Sequence, residues 1–182
     1  MNKFFGFKTP LCNSRHSSFT VNGVTYNSMD QYITAMKAKL FNDKDAYNTA
    51  MKQPRFVRQI PVNGYEDKIW ALVAKKILYK GLKEKFKQNP GCRKCLLKTG
   101  NKKLVYCDPD DKVHGIGMSI WDPDASYPTK WHGKNILGKT LMKIRSELQN
   151  EIACFDVFGS LKQNIQKQGR KRKVKHVCKF CQ

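Results

Sequence analysis

Carboxylates are scarce in this chain: 14 Asp and Glu stand against 35 Lys and Arg, a formal charge of +21. A field of that sign attracts polyanions, whether nucleic acid, phosphorylated small molecules or acidic surfaces, and does not choose among them. Base bias of a host genome can also enrich lysine with no functional meaning. Long apolar runs are missing too. No stretch approaches the roughly 18–20 apolar residues of a membrane helix. The aromatic N-terminus has no apolar signal core and no small-residue cleavage site. The chain therefore reads as soluble and intracellular with no membrane partner: cytoplasmic, or nuclear if its basic tail is an import signal. The seven cysteines are odd in number and lack the regular spacing of a secreted disulfide scaffold, so reduced thiols are expected. No internal repeat is present.

What remains fits one domain with appendages. With 182 residues the chain can bury a core without staples. Phe4, Phe5 and Phe7 open it as a short strand or an apolar plug. Asn22-Gly23 between two short alternating runs signals a β-hairpin, because both turn residues tolerate positive φ. A helix follows at residues 28–41, with Ser28 and Gln31 as a capping box. Met29, Tyr32, Ile33, Met36 and Leu40 form its apolar stripe. Beside them run Asp30, Thr34, Lys37 and Phe41, a mixed line that suits either a cavity wall or an ordinary surface. Further helices are predicted at residues 44–52, 67–87, 92–97 and 134–149, with Pro54 and Asn89-Pro90-Gly91 as stops. Leu104–Cys107 is a predicted strand. Residues 108–133 form a long irregular stretch rich in Asp, Gly and Trp, and a loop of that length in a compact domain is usually functional. The fold class is predominantly α, multihelical, with a small β-hairpin or sheet.

Two features outside the helices invite a metal or a polyanion. Cys92-x-x-Cys95 and Cys178-x-x-Cys181 resemble halves of a zinc site, but more than 80 residues separate them. Cys92 and Cys95 also fall on apolar helix positions, where free cysteine packs as a small hydrophobe. The last 22 residues carry eight basic side chains and no acid, which leaves 27 basic residues against 14 acids on the rest. That tail suits phosphate contact or import recognition, and equally a solvated tail without function.

In so basic a chain, an acid cluster is either held by lysines or used. Asp108, Asp110 and Asp111 cluster after the predicted strand, and Asp30 lies on a different element. Two carboxylates meeting across a pocket are what glycosidic hydrolysis needs, one protonating the leaving group and one activating water. Trp70 or Trp131 would stack on a base or sugar, and lysines would hold a phosphate. Surface acids with packing tryptophans are the simpler account of the spacing alone.

A set of motifs in order goes further. They are Leu11-Cys-Asn13, then Phe19 through Tyr32 (FTVNGVTYNSMDQY), Ala35 through Phe41 (AMKAKLF), and Trp70. Next come Lys85 through Pro90 (KFKQNP), Leu96-Leu-Lys-Thr-Gly100, Asp111 with Gly115-Ile-Gly117, Trp131 through Gly138 (WHGKNILG), and Leu141 through Arg145. Over residues 4–149 this resembles the NADAR family, which includes YbiA-like N-glycosidases. Asp30 stands where that family has Glu, His114 where it has Trp, and the linker between Arg58 and Gly64 is shorter, so a phosphate contact of the family is either lost there or moved to Arg58. The resemblance implies a YbiA-like single domain at residues 1–150. An apolar patch and a basic, flexible tail follow at 151–182. It implies an N-glycosidase that needs no metal or redox cofactor. Its substrates would be the phosphoribosylamino-pyrimidine intermediates of riboflavin synthesis, or ADP-ribose on guanine in nucleic acid. A non-catalytic ADP-ribose or nucleic-acid binding module is the alternative. Asp111 and Asp30 would be the acid/base pair, with Trp70 and Trp131 stacking. Asn13, Lys37, Lys134 and Asn135 would orient ribose and phosphate.

Overall fold

The computed structural model describes residues 1–4, 9–53 and 57–154. Two compact units are present, Met1–Arg145 and Ser146–Gln182. The described part of the second, residues 146–154, is helical. The expected apolar patch beyond residue 154, the basic tail, Phe5, Phe7 and Pro54 lie outside the described residues.

Among its described residues the first unit is mostly helical, with two small sheets. Strand β1 (Asn2–Phe4) pairs in parallel with β4 (Leu104–Tyr106), Phe4 opposite Tyr106. Strands β2 (Phe19–Val21) and β3 (Val24–Tyr26) form the expected hairpin, with Asn22 at φ 50° and Gly23 at φ 79°. Helix α1 (Met29–Leu40) starts as its capping box dictates. Ser28 Oγ accepts from the Gln31 N–H at 3.2 Å, and Gln31 Oε1 accepts from the Asn27 N–H at 2.6 Å. Helix α2 (Lys44–Lys52) is capped by Asp43.

Helix α3 (Asp67–Gln88) and helix α4 (Pro90–Leu97) meet at Asn89, which ends one and begins the next. Pro90 therefore starts α4 two residues before the predicted position, because its fixed φ and missing N–H suit the first helical residue. The closing helix, α5, starts at residue 136 rather than 134 and remains helical through 154. Asn135 sits at φ 51°, which no α-helix continues. Two 3₁₀ turns, Pro123–Ser126 and Pro128–Lys130, are the regular parts of the long irregular stretch.

The core lies where α1 crosses α3. Met29, Tyr32 and Ala35 of α1 and Leu78, Leu82 and Phe86 of α3 are buried. Tyr32 meets Phe19 and Tyr26 of the hairpin edge-on, at ring distances of 5.8 and 5.1 Å. The apolar stripe expected on α1 is rotated. Leu40 is exposed, whereas Asp30, Gln31 and Thr34 are buried. The helix is enclosed by α2, α3 and the 3₁₀ turn Val57–Gln59, so its polar line faces protein. The N-terminal half of α3 departs from expectation as well, with Ile69 and Leu72 exposed. A smaller cluster of Val105, Cys107, Ile116, Met118 and Ala125 supports the irregular stretch. Cys92 is buried in α4, with its Sγ 3.5 Å from Ser17 Oγ. No helix among the described residues is long and apolar enough to cross a membrane, and no group of them is arranged to hold a metal.

Candidate active site

The polar line of α1 positions the site. Thr34 Oγ1 donates to the Val57 carbonyl at 3.2 Å, which pins the Val57–Gln59 turn against the helix and aims Arg58. Arg58 Nη2 reaches Asp111 Oδ2 at 3.1 Å and Nη1 lies 3.9 Å from Asp108 Oδ2. Half of the Arg58 side chain (49%) stays exposed, so the guanidinium has donors facing solvent. Asp108 is fixed from the other side, where the Tyr106 hydroxyl donates to it at 2.8 Å.

Asp111 collects four donors. The backbone N–H groups of Val113 and His114 donate to Oδ1 at 3.0 and 2.7 Å, and Arg58 and His114 Nδ1 meet Oδ2, each at 3.1 Å. A carboxylate only accepts, so Nδ1 carries the ring hydrogen. Burial alone would push the Asp111 carboxyl up. The His114 ring, the His114 N–H and the Arg58 guanidinium outweigh it and hold the group well below the usual carboxylate range.

Asp30 is the opposite case. It is 8% exposed. Its backbone N–H donates to the Asn13 carbonyl at 3.2 Å, which ties α1 to the loop before the hairpin. Burial raises the Asp30 carboxyl to about 6, against the pull of Arg58, His114 and Lys85 and with a further push from Asp111. The two carboxyls are thus driven apart by their environments, Asp111 held ionised and Asp30 able to hold a proton.

Beneath this pair lies Lys85, wholly buried, with Nζ donating to the Cys12 carbonyl at 3.0 Å. Burial lowers its ammonium to about 8. Cys12 is inert, because burial pushes its thiol up to about 12. The neighbouring Asn13 has a buried Oδ1 that accepts no hydrogen bond from the described residues. An unpaired buried acceptor is costly unless something else fills it.

An aromatic cradle around Lys37 lies within electrostatic reach of Arg58. Lys37 Nζ stands 4.5 Å from the Tyr65 ring and 5.4 Å from the Trp70 ring, and Phe41 meets Tyr65 edge-on at 5.4 Å. Burial lowers the Lys37 ammonium, with Asp67 opposing and Arg58 reinforcing the shift.

Asp30, Asp111 and Asn13 thus stand together, and Lys37 and Trp70 share the adjoining cradle. The other three expected residues stand elsewhere. Asn135, expected to orient substrate, instead holds the backbone of β4. Its Oδ1 accepts from the Tyr106 N–H at 3.1 Å and its Nδ2 donates to the Leu104 carbonyl at 2.9 Å. The amide is therefore used up by the strand. Trp131 packs on the smaller core cluster and donates to the Ala125 carbonyl at 3.0 Å. Lys134 is exposed on a basic groove with Lys75, Lys76, Lys139 and Lys143.

Sequence reasoning left His114 and Lys85 without roles and gave Arg58 only that of a relocated phosphate contact. Lys85 had a legible signal, a lysine one turn from Leu82 on the buried face of α3. The meeting of Arg58 and His114 at Asp111 had none, since it depends on how a turn and a loop fold over α1. A cavity of about 560 Å³ at the start of α2 contains none of these residues.

A sequence model of the NADAR domain matches residues 4–149. Among known proteins, the chain is 39% identical over 129 residues to N-glycosidase R617 of Acanthamoeba polyphaga mimivirus. That match covers 68% of this chain and 75% of the relative. It is 32% identical over 129 residues to protein irg-1 of Caenorhabditis elegans, covering 68% and 61%. The NMR structure of the E. coli protein YbiA superposes with a TM-score of 0.65 at 25% identity, covering 84% of this chain and 88% of that one. The chain belongs to the NADAR domain family, and its enzyme class is that of the N-glycosidases, hydrolases of the N-glycosidic bond.

Proposed function

We propose that this chain hydrolyses the N-glycosidic bond of a phosphorylated riboside, with Asp30 as general acid. The substrates we favour are the phosphoribosylamino-pyrimidine intermediates of riboflavin synthesis, cleaved before they do damage. The carrying observation is the contrast between Asp30, raised to about 6 by burial, and Asp111, held ionised by Arg58 and His114. In this reading Asp30 gives its proton to the departing nitrogen as the C–N bond breaks and the ribose carbon becomes cation-like; water then bonds to that carbon, and the proton it sheds restores Asp30. Asp111 anchors Arg58, whose exposed face receives the phosphate. That phosphate neutralises Arg58, which removes a charge that lowers Asp30 and so favours the protonated acid in the complex. Trp70 and Tyr65 stack on the base or sugar, Lys37 contacts an anionic oxygen, and Asn13 Oδ1 accepts from a ribose hydroxyl.

A second reading, removal of ADP-ribose from guanine in nucleic acid, draws on the charge of +21. The two are separated by measuring base release from each substrate class. If Asp30→Asn and Asp111→Asn both retain wild-type release, the site is misplaced. No release by the wild-type protein from either class leaves a binding module.

A further inference from the structure

The proposed chemistry leaves one charged concavity unused. It lies between α3 and α5, has a volume of about 540 Å³, and none of its eight lining residues is acidic. Lys75 and Lys76 come from one helix, Lys139 and Lys143 from the other, and Lys134 from the loop before α5. Lys139 and Lys143 are one turn apart, about 6 Å along the axis, a spacing close to that of successive phosphates in an extended strand. Tyr79 lies in the groove and fixes part of this charge, with Lys143 Nζ 4.8 Å from its ring centre.

We infer that this groove binds the phosphate chain of a single-stranded nucleic acid. Four observations point there. The five lysines line one concave surface with no acid among them, and like charges gathered in a concavity raise the local potential. The occupant must carry repeated negative charge, because a lone phosphate would leave most of the lysines unmatched. A flexible strand enters a groove of this size, whereas a duplex presents a wide rigid cylinder. The Tyr79 ring also holds two ammonium groups beside it, Lys143 Nζ at 4.8 Å and Lys83 Nζ at 5.7 Å, so positive charge is fixed where the backbone would run.

The groove abuts the catalytic loop. The Lys134 N–H donates to the Lys112 carbonyl at 2.8 Å, one residue from Asp111. Gly133 lies so close to this loop that a Cβ there would meet the Gly115 carbonyl at 2.5 Å and Lys112 Cα at 2.8 Å. The segment that carries Lys134 is therefore packed on the loop that carries Asp111. Binding in the groove stands independently of which bond is cut, and it brings a polyanion to the edge of the proposed centre.

The test uses the full chain and a labelled oligothymidylate over a salt series. In the triple variant Lys76→Gln, Lys139→Gln, Lys143→Gln the slope of log affinity against log salt becomes shallower by about 2, at about 0.7 per lost contact. Affinity falls about 50-fold near physiological salt, which is that exponent carried from 1 M to about 0.15 M. A control with the same charge loss outside the groove, Lys44→Gln, Lys52→Gln, Lys98→Gln, keeps the wild-type slope. Equal losses in the two variants, or none in the first, overturn the inference in favour of a diffuse field. A duplex that binds as tightly as the single strand overturns the strand assignment. Inorganic polyphosphate that occupies the groove while oligothymidylate does not overturns the nucleic-acid one. Turnover of a small phosphorylated riboside stays unchanged in the groove variant. Normal strand binding in that variant, alongside lost turnover in Asp30→Asn, would sink the groove and leave the hydrolase; the reverse pattern would sink the hydrolase alone.

Discussion

Replacing Asp30 by Asn should make the protein more stable while removing its activity. An ordinary aspartate ionises near 3.9, and in the folded chain burial raises Asp30 to about 6. Between those values the native state holds a proton that the unfolded chain has released. Stability therefore falls as pH rises through this window, and the full penalty is present above about pH 6. A shift of about two pH units is worth roughly 3 kcal/mol at about 1.4 per unit, an upper bound because the asparagine amide must find acceptors of its own. About 2 kcal/mol is the working figure, which for a chain of this length raises Tm by about 4–8 °C. Thermal or urea unfolding of both proteins, at neutral pH and near pH 4, reads it directly. The pH dependence is the decisive part, since packing changes on substitution do not titrate. If Asp30→Asn is no more stable at neutral pH, or if its advantage persists undiminished near pH 4, Asp30 is not a buried acid and the proposed role fails.

The other expectations concern the groups around it. Asp111→Asn should release Arg58 and His114, lower kcat/KM by at least about 100-fold, and destabilise by about 1–3 kcal/mol after discounting the half-exposed arginine. Because Asp111 is held below its unfolded value, the wild type's advantage over this variant should be full at neutral pH and shrink below about pH 4, as denaturation across pH will show. Lys85→Met removes a positive charge that lowers Asp30, so the alkaline limb of the kcat/KM profile should move to higher pH; an unmoved limb counts against that coupling. Asn135→Ala strips two hydrogen bonds from β4 and should cost about 2–3 kcal/mol in denaturant unfolding, with activity per folded molecule retained. Gly81→Ala would set a Cβ 2.5 Å from two Tyr32 ring carbons. It should destabilise by about 1–3 kcal/mol and, through α1, lower turnover.

Local chemistry made much of this legible. The Ser28–Gln31 box, the Asn22-Gly23 turn and the Asp43 cap each act within a few residues, and each element starts where its signal stands. Burial was harder to read. The apolar stripe of α1 pointed to one face, yet enclosure by α2, α3 and the Val57–Gln59 turn buries the polar line as well. Asp30 and Thr34 owe their roles to that enclosure. Arg58 meets Asp111 across 53 residues of chain, and no periodicity encodes such a meeting. Asn135 shows the converse difficulty. A motif singled it out, but only the fold reveals that its amide serves a strand.

That amide has a consequence for how copies of the chain treat one another. A two-stranded parallel sheet has two open flanks, and each unpaired flank is a template on which another chain can add a strand. On the far side of β4 from β1, the Asn135 side chain presents one acceptor and one donor to the Tyr106 N–H and the Leu104 carbonyl. It imitates the neighbour that a further strand would be, and occupies the place. Beside it the Ile116 N–H donates to the Tyr106 carbonyl at 2.9 Å, so one side chain with left-handed backbone and one loop amide together close this flank of β4 to other molecules.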